Sequence, residues 1–254
     1  MPLKKILEVN GLSATFGDRR ILTDISFKAY HEEVTVILGG SGSGKTTILK
    51  HLLGLYEIQE GYVTVLGKDI NTIDEPEQKQ LYLQMGVFYQ NGGLLNSLTI
   101  GENVSLPLEQ HTQLDADLIK KIVLMKLQLV HLEDVYDLYP SQLSGGMLKR
   151  AALARAMVMD PPILFCDEPG SGLDPISLAS LDNLILNLRE QLGISIIIIT
   201  HDISSIMRIA DRIIFLDEGK VIFHGLLKDA LKSKNEMIHN FFEKGITRIN
   251  PDYS

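Results

Sequence analysis

The spacing of apolar and polar residues divides the chain into short strands and amphipathic helices. Residues 3 to 9, 21 to 28 and 62 to 66 read as short strands rich in β-branched residues, with turn signals at Asn10-Gly11 and Leu66-Gly67-Lys68. "EVTVILG" (33–39) predicts an apolar strand running directly into a glycine-rich loop, and "TTILKHLLG" (46–54) a helix closed by Gly54. "MGVFYQ" (85–90) predicts a further buried strand, while residues 102 to 158 show helical spacing with few strand signals. The apolar strands "ILFCD" (163–167) and "SIIIIT" (195–200) bracket the helix "PISLASLDNLILNLREQLG" (175–193). Strands separated by helices imply an α/β fold with a mostly parallel sheet covered on both faces. The helical stretch, about residues 92–158, is then an inserted lobe within a domain over residues 1–236, followed by a C-terminal helix and tail over 237–254. In that helix Met237, Ile238, Phe241 and Phe242 fall at i, i+1, i+4 and i+5, an apolar stripe that either packs on the chain's own core or helps the tail, with Tyr253, dock on a second subunit.

Composition narrows the function. With 254 residues, 45% of them apolar, the chain can bury a substantial core. A formal charge of −8 gives no broad basic face for nucleic acid, so any anion site is local. The single cysteine, Cys166, sits in an apolar run and reads as buried and reduced, which suits a cytosolic compartment. "MPLKKILEVN" lacks the apolar region of a signal peptide, and "ISIIIIT" is far shorter than the roughly 20 residues a membrane-spanning helix needs.

The strongest chemistry lies in Gly39-Gly40-Ser41-Gly42-Ser43-Gly44-Lys45-Thr46, which fits G-x-x-x-x-G-K-[ST] between a predicted strand and a predicted helix. Its glycines let backbone N–H groups crowd phosphate oxygens, Lys45 neutralises the β- and γ-phosphates and the Thr46 hydroxyl suits Mg²⁺, with Thr47 in the same turn. Asp167-Glu168 ends an apolar strand, where such enzymes place a metal carboxylate; in extended chain Asp167 would face the metal and Glu168 an attacking water. His201 follows "SIIIIT" at an edge where ligands of α/β folds collect, and Gln90 ends its strand with a neutral amide able to sense the metal or its water. Ser144-Gly145-Gly146 opens an Ala-rich helix whose N–H groups also suit an anion. Only one phosphate loop exists, so this segment is either an ordinary helix start or reaches a nucleotide held by another copy of the chain.

Taken in order, the phosphate loop, Gln90, "LSGGM", "ILFCDEP", "SGLDP" and His201 resemble the ATP-binding subunits of ABC transporters, a P-loop NTPase (RecA-like) fold with an N-terminal antiparallel β subdomain and an inserted helical subdomain. The resemblance runs from about residue 5 to about residue 235. It implies ATP and Mg²⁺ as cofactors and a head-to-tail dimer in which Ser144, Gly145 and Gly146 close over the ATP of the second copy. It further implies that Phe16 stacks on adenine, Asp174 lies at the dimer interface, His201 contacts the γ-phosphate, Glu168 is the catalytic carboxylate, and Gln90 links to the membrane partner. Phe16 stands where Tyr is commoner and Met147 where Gln is commoner.

"FYQNGGLLNSLTIGENV", "LPLEQHTQL" and "LSGGMLKRAALARA" are similar to the corresponding stretches of MCE-type phospholipid transporter ATPases, the Mla system of outer-membrane lipid asymmetry. This implies an integral permease, a periplasmic MCE lipid-binding protein and a STAS-domain subunit as partners, and a peripheral place on the cytoplasmic face of the bacterial inner membrane. Alternatives of the same architecture are an importer ATPase for a small polar solute such as an amino acid, or a soluble ABC ATPase acting on nucleic acid.

Overall fold

The computed structural model describes residues 3–249, with side chains as far as residue 243. Along the chain run β1 (Lys5–Phe16), β2 (Arg19–Tyr30), β3 (Val34–Gly39), α1 (Lys45–Leu52), β4 (Glu60–Val65), β5 (Lys68–Asp69), α2 (Glu75–Tyr82), β6 (Met85–Phe88), α3 (Ile100–His111) and α4 (Ala116–Leu129). There follow α5 (Gly145–Ala156), β7 (Ile163–Asp167), α6 (Pro175–Leu192), β8 (Ser195–Ile199), α7 (Ile203–Ile209), β9 (Arg212–Asp217), β10 (Lys220–Leu226), α8 (Leu227–Ala230) and α9 (Glu236–Ile249). They form two compact units, residues 1–82 with 195–254, and residues 83–194. Among the described residues no helix is long and apolar enough to cross a membrane.

In the first unit an antiparallel sheet, ordered β2-β1-β4-β5, accompanies β10-β9-β3-β8. β3 pairs in parallel with β8 on one side and β9 on the other. All six residues of β3 and all five of β8 are buried, which explains why both read as continuous apolar runs without alternation. The antiparallel strands are longer than the spacing of apolar residues suggests. Asn10-Gly11, expected as a turn, lies inside β1: the register shifts between Val9 and Leu12, Gly11 is left-handed at φ +64°, and its N–H donates to Ser26 Oγ at 2.9 Å. A bulge absorbs the turn signal, and the chain reverses instead at Gly17-Asp18, between the paired residues Phe16 and Arg19. α9 covers the core of its own unit through Ile238 and Phe242, both buried, while Phe241 meets Phe215 edge to face at 5.1 Å. Met237 stays 46% exposed and so leaves the stripe. Tyr253 and the end of the tail lie outside the described residues.

The second unit pairs β6 with β7 in parallel and packs α3, α4, α5 and α6 together. The helical reading of 102–158 is interrupted: residues 130–144 hold no helix beyond a 3-10 turn at Pro140–Gln142, because His131 and Asp134 take left-handed φ of 55° and 58°. Caps set the helix starts. Thr99 and Glu102 form a reciprocal capping box on α3, and Asp115 accepts from Leu118 N–H at the start of α4. Cys166, in the middle of the buried β7 run, has its thiol pushed well above its ordinary pKa, chiefly by burial.

Asn103 organises the segment before α3. It is wholly buried; its amide donates to the carbonyls of Leu95 (3.0 Å), Leu98 (3.2 Å) and Thr99 (2.9 Å), and its Oδ1 accepts from Leu95 N–H at 2.7 Å. Asn103→Ala removes these four part-buried hydrogen bonds from the segment, a cost of about 1–3 kcal/mol. Urea unfolding should show a lower midpoint at unchanged slope.

Candidate functional site

β3 delivers the chain into the phosphate loop at Gly39, where a Cβ would lie 2.2 Å from the Leu216 carbonyl oxygen, so only glycine fits. The loop ends at Gly44, left-handed at φ +102°, which is the N-cap of α1 and makes no side-chain capping bond. The first turn of α1, with Thr46 and Thr47, therefore has no side-chain cap and suits an anionic ligand. Lys45 folds back over the loop, its Nζ donating to the carbonyls of Gly39 (2.9 Å) and Gly40 (2.8 Å). Ser43 Oγ is buried with no hydrogen-bond partner, although the Ser43 carbonyl accepts from Gly219 N–H at 3.2 Å. Ser41 and Thr46 are exposed, and Cβ atoms on Gly40 or Gly42 would meet nothing within 4 Å. An uncapped helix start, a lysine, an orphaned hydroxyl and open glycines fit a nucleotide polyphosphate.

Two more predicted residues belong to this unit. His201 is exposed immediately beyond β8, and Thr200 N–H reaches Ile37 O at 3.4 Å, so the histidine leaves the same edge of the parallel strands as the phosphate loop. Phe16, at the tip of the β1–β2 hairpin, is 45% exposed and meets the edge of Tyr56 at 5.1 Å. Tyr56 in turn contacts the His51 ring at 5.5 Å and receives a hydrogen bond from Lys50 Nζ at 3.0 Å. His51 Nδ1 donates to the Thr47 carbonyl at 2.7 Å, and burial lowers its pKa. Thus α1, about 12 Å long at 1.5 Å per residue, starts at the phosphate loop and ends under the aromatic pair that carries Phe16. In the sequence Tyr56 carries a single signal, an aromatic two residues after the helix-closing Gly54.

The remaining predicted residues lie in the second unit. Asp167 ends β7 and Gln90 follows β6 by two residues; Phe88 pairs with Cys166, so both leave one edge of the parallel pair. Glu168 is not extended. It sits at φ +45°, with Ser171 N–H donating to its carbonyl at 3.1 Å, so the expected alternation of Asp167 and Glu168 along an extended chain gives way to a turn. A non-glycine residue in that conformation costs about 1–2 kcal/mol, the kind of local strain that gathers at working sites. The strand expected to run to Gln90 stops at Phe88; Tyr89 and Gln90 belong to an exposed loop.

Ser144 caps α5, its Oγ accepting from Met147 N–H at 3.3 Å. Gly145 and Gly146 form the first turn of that helix with no positive φ, and a Cβ on either would meet nothing within 4 Å. Asp174 caps α6, accepting from the N–H groups of Ile176 and Ser177 at 3.0 Å each, and its carboxyl is held below the usual range chiefly by the Ser177 hydroxyl. Lys149 and Arg155 of α5, which sequence reasoning passed over, bind the backbone of the Gln90 loop. In an Ala-rich helix such cations look like solvent-facing charge, so no sequence signal marked them.

The chain is 37% identical to the intermembrane phospholipid transport system ATP-binding protein MlaF of Haemophilus influenzae over 240 residues, 94% of this chain and 91% of that one. It is equally, 37%, identical to a probable ribonucleotide transport ATP-binding protein of Mycobacterium leprae over 241 residues, 95% of this chain but 70% of that one. Among solved structures it is similar to cbiO1 of Clostridium perfringens, part of an ABC transporter complex, with a TM-score of 0.84 at 30% identity over 98% of this chain and 97% of that one. It is also similar to the dimeric ATP-binding cassette MJ0796 bound to ADP and Pi, with a TM-score of 0.78 at 30% identity over 87% and 98%. Residues 22–171 match the family described as ABC transporter, and the chain belongs to that family as an ATP-binding subunit.

Proposed function

We propose that the chain hydrolyses MgATP in a head-to-tail dimer with a second copy of itself and thereby drives phospholipid transport through a membrane permease. The observation that carries the dimeric site is the pair Gly145-Gly146. Each glycine in a helix costs up to about 1 kcal/mol relative to alanine, yet nothing within 4 Å in this chain needs the missing Cβ. A surface that closes on another molecule explains both, and the nucleotide held by a second copy is that molecule. The dimeric form of MJ0796 supports the same reading.

In this mechanism the α1 N–H groups and Lys45 hold the β- and γ-phosphates, and Phe16 stacks on adenine. Thr46, Asp167 and Gln90 would hold Mg²⁺, which would neutralise charge on the phosphates. Glu168 orients a water and takes its proton as the oxygen attacks the γ-phosphorus, the bond to ADP breaks, and His201 holds the γ-phosphate in line. Ser144, Gly145 and Gly146 of the other copy complete the enclosure, with Asp174 beside that interface, and Gln90 faces the permease. The permease, a periplasmic MCE protein and a STAS-domain subunit are the proposed partners, and they hold the chain at the cytoplasmic face of the inner membrane.

The cargo rests on the relatives. Alignment over 91% of the Haemophilus protein, against 70% of the mycobacterial one named for ribonucleotides, favours the phospholipid system. Purifying the complex from native membranes should yield a permease with bound phospholipid; a complex that instead carries ribonucleotide beyond the ATP sites overturns the cargo assignment.

Glu168→Gln keeps size and hydrogen bonding but removes the base. It should bind MgATP normally while turnover falls about a hundredfold or more; Lys45→Ala should instead weaken nucleotide binding itself, measured by equilibrium titration. Near-wild-type turnover in Glu168→Gln would remove it from the catalytic role.

Ser144→Arg should stop hydrolysis while its own phosphate loop still binds ATP, because the added side chain meets the second copy's nucleotide. Mixed with Lys45→Ala, it should restore one composite site, joining the intact loop of the Ser144→Arg chain to the intact Ser144 segment of the Lys45→Ala chain. ATP bound at that site in mixed dimers is the expected observation, and dependence of each chain on its own Ser144 segment alone is the contrary one.

A further inference from the structure

α5 projects three cations whose acceptors here are backbone carbonyls and a hydroxyl. Arg150 donates to the Val130 carbonyl at 3.2 Å and to Ser180 Oγ at 2.8 Å, seating the helix against the end of α4 and against α6. Lys149 and Arg155 reach the loop that follows β6. Lys149 Nζ donates to the Gln90 carbonyl and lies 5.6 Å from the centre of the Phe88 ring. Arg155 donates Nη1 to Gly93 O at 2.6 Å and Nη2 to Gly92 O at 3.1 Å.

Between the two cations, three residues from each, Ala152 presents only a methyl group. A Cβ on Gly92 would approach Ala152 Cβ to 3.3 Å, and one on Gly93 would come within 2.9 Å of Arg155 Nη2. Both glycines are left-handed, at φ 72° and 63°, and Gly92 N–H closes a turn on Tyr89 O at 2.7 Å. The loop is thus shaped to lie on the Lys149–Ala152–Arg155 face. Burial lowers the pKa of both cations, and charge-assisted bonds made out of water are roughly twice as strong as neutral ones. Six residues of helix separate the attachments by about 9 Å along the axis. A loop tied at one point pivots; tied at two, it cannot.

We infer that Lys149 and Arg155 are positioning residues that lock the Gln90 loop to α5, so that Gln90 and the Ser144-Gly145-Gly146 segment at the head of that helix shift as one body. The lock is a property of this chain; its consequence for turnover rests on the reading of Ser144 to Gly146 as the closing surface over a second copy's nucleotide. A displacement of the loop by a membrane partner then reaches Ser144 without slack, and a loosened loop leaves the closing surface misaligned.

The test uses the full chain in its assembled complex, with Arg155→Met, Lys149→Met and the conservative Arg155→Lys. Arg155→Met should speed backbone hydrogen exchange across residues 89–94 by about tenfold or more while α3 exchanges as before. Turnover should fall about tenfold, as misplaced groups slow chemistry, with ATP affinity in the variant's own phosphate loop within about twofold of wild type. Arg155→Lys, keeping one donor, should recover part of both losses. Wild-type exchange in both Met variants overturns the lock. Faster exchange with wild-type turnover overturns its role in alignment. If Arg155→Met fails to melt cooperatively, Lys149→Met, which keeps one cation, and Arg155→Lys, which keeps both but loses one of the two guanidinium donors, carry the same two readings. Ser144→Arg that still turned over would strike the closure reading instead, and the exchange result would stand apart from it.

Discussion

β3 is paired in parallel on both sides, and none of its residues reaches solvent. That burial fixes Gly39 against the Leu216 carbonyl with no room for a side chain, so the phosphate loop leaves the strand in one direction only. Lys45 then bonds back to the first two loop carbonyls, and α1 begins at a left-handed glycine with no side chain capping its first turn. A less buried strand would let the loop fluctuate, and the entropy of ordering it would be charged against nucleotide affinity. The site is therefore preorganised by core packing at some remove from any polar contact.

Glycines divide into two kinds. Gly39 and Gly61 are demanded by the fold, since a Cβ at either would collide with backbone at 2.2 and 2.4 Å. Gly40, Gly145 and Gly146 are not demanded by anything inside the chain: their φ angles are ordinary and their surroundings open. The first kind describes a molecule at rest, and the second the shape of what approaches it. Serine and aspartate caps at the starts of α5 and α6 belong with the second kind in location, although each already has a local job in holding its own helix.

Much of this was legible in the residue order. The buried parallel strands announced themselves as unbroken aliphatic runs, and α6 was bounded by Pro175 at its first turn and Gly193 at its left-handed cap. Where reading failed, a local signal met a tertiary constraint. Asn10-Gly11 has the composition of a hairpin turn, but pairing of β1 with β2 and β4 on either side turns it into a bulge. Glu168, following a strand, is expected to be extended, whereas the Glu168–Ser171 turn bends the chain away at once. Asn103 lies on the apolar stripe of α3, yet only the fold shows that the backbone around Leu95 and Leu98 is what satisfies it. Lys149 and Arg155 were invisible for the opposite reason: long cations usually reach water, and here loop carbonyls replace it.

The buried thiol of Cys166 has a practical corollary. It is the only cysteine in the chain, it is fully enclosed in β7, and its raised pKa leaves almost no thiolate at neutral pH. Maleimide dyes and spin labels should therefore pass it by, so a single cysteine introduced on an exposed loop would be labelled alone, with no residue of the native core exchanged to make the background silent.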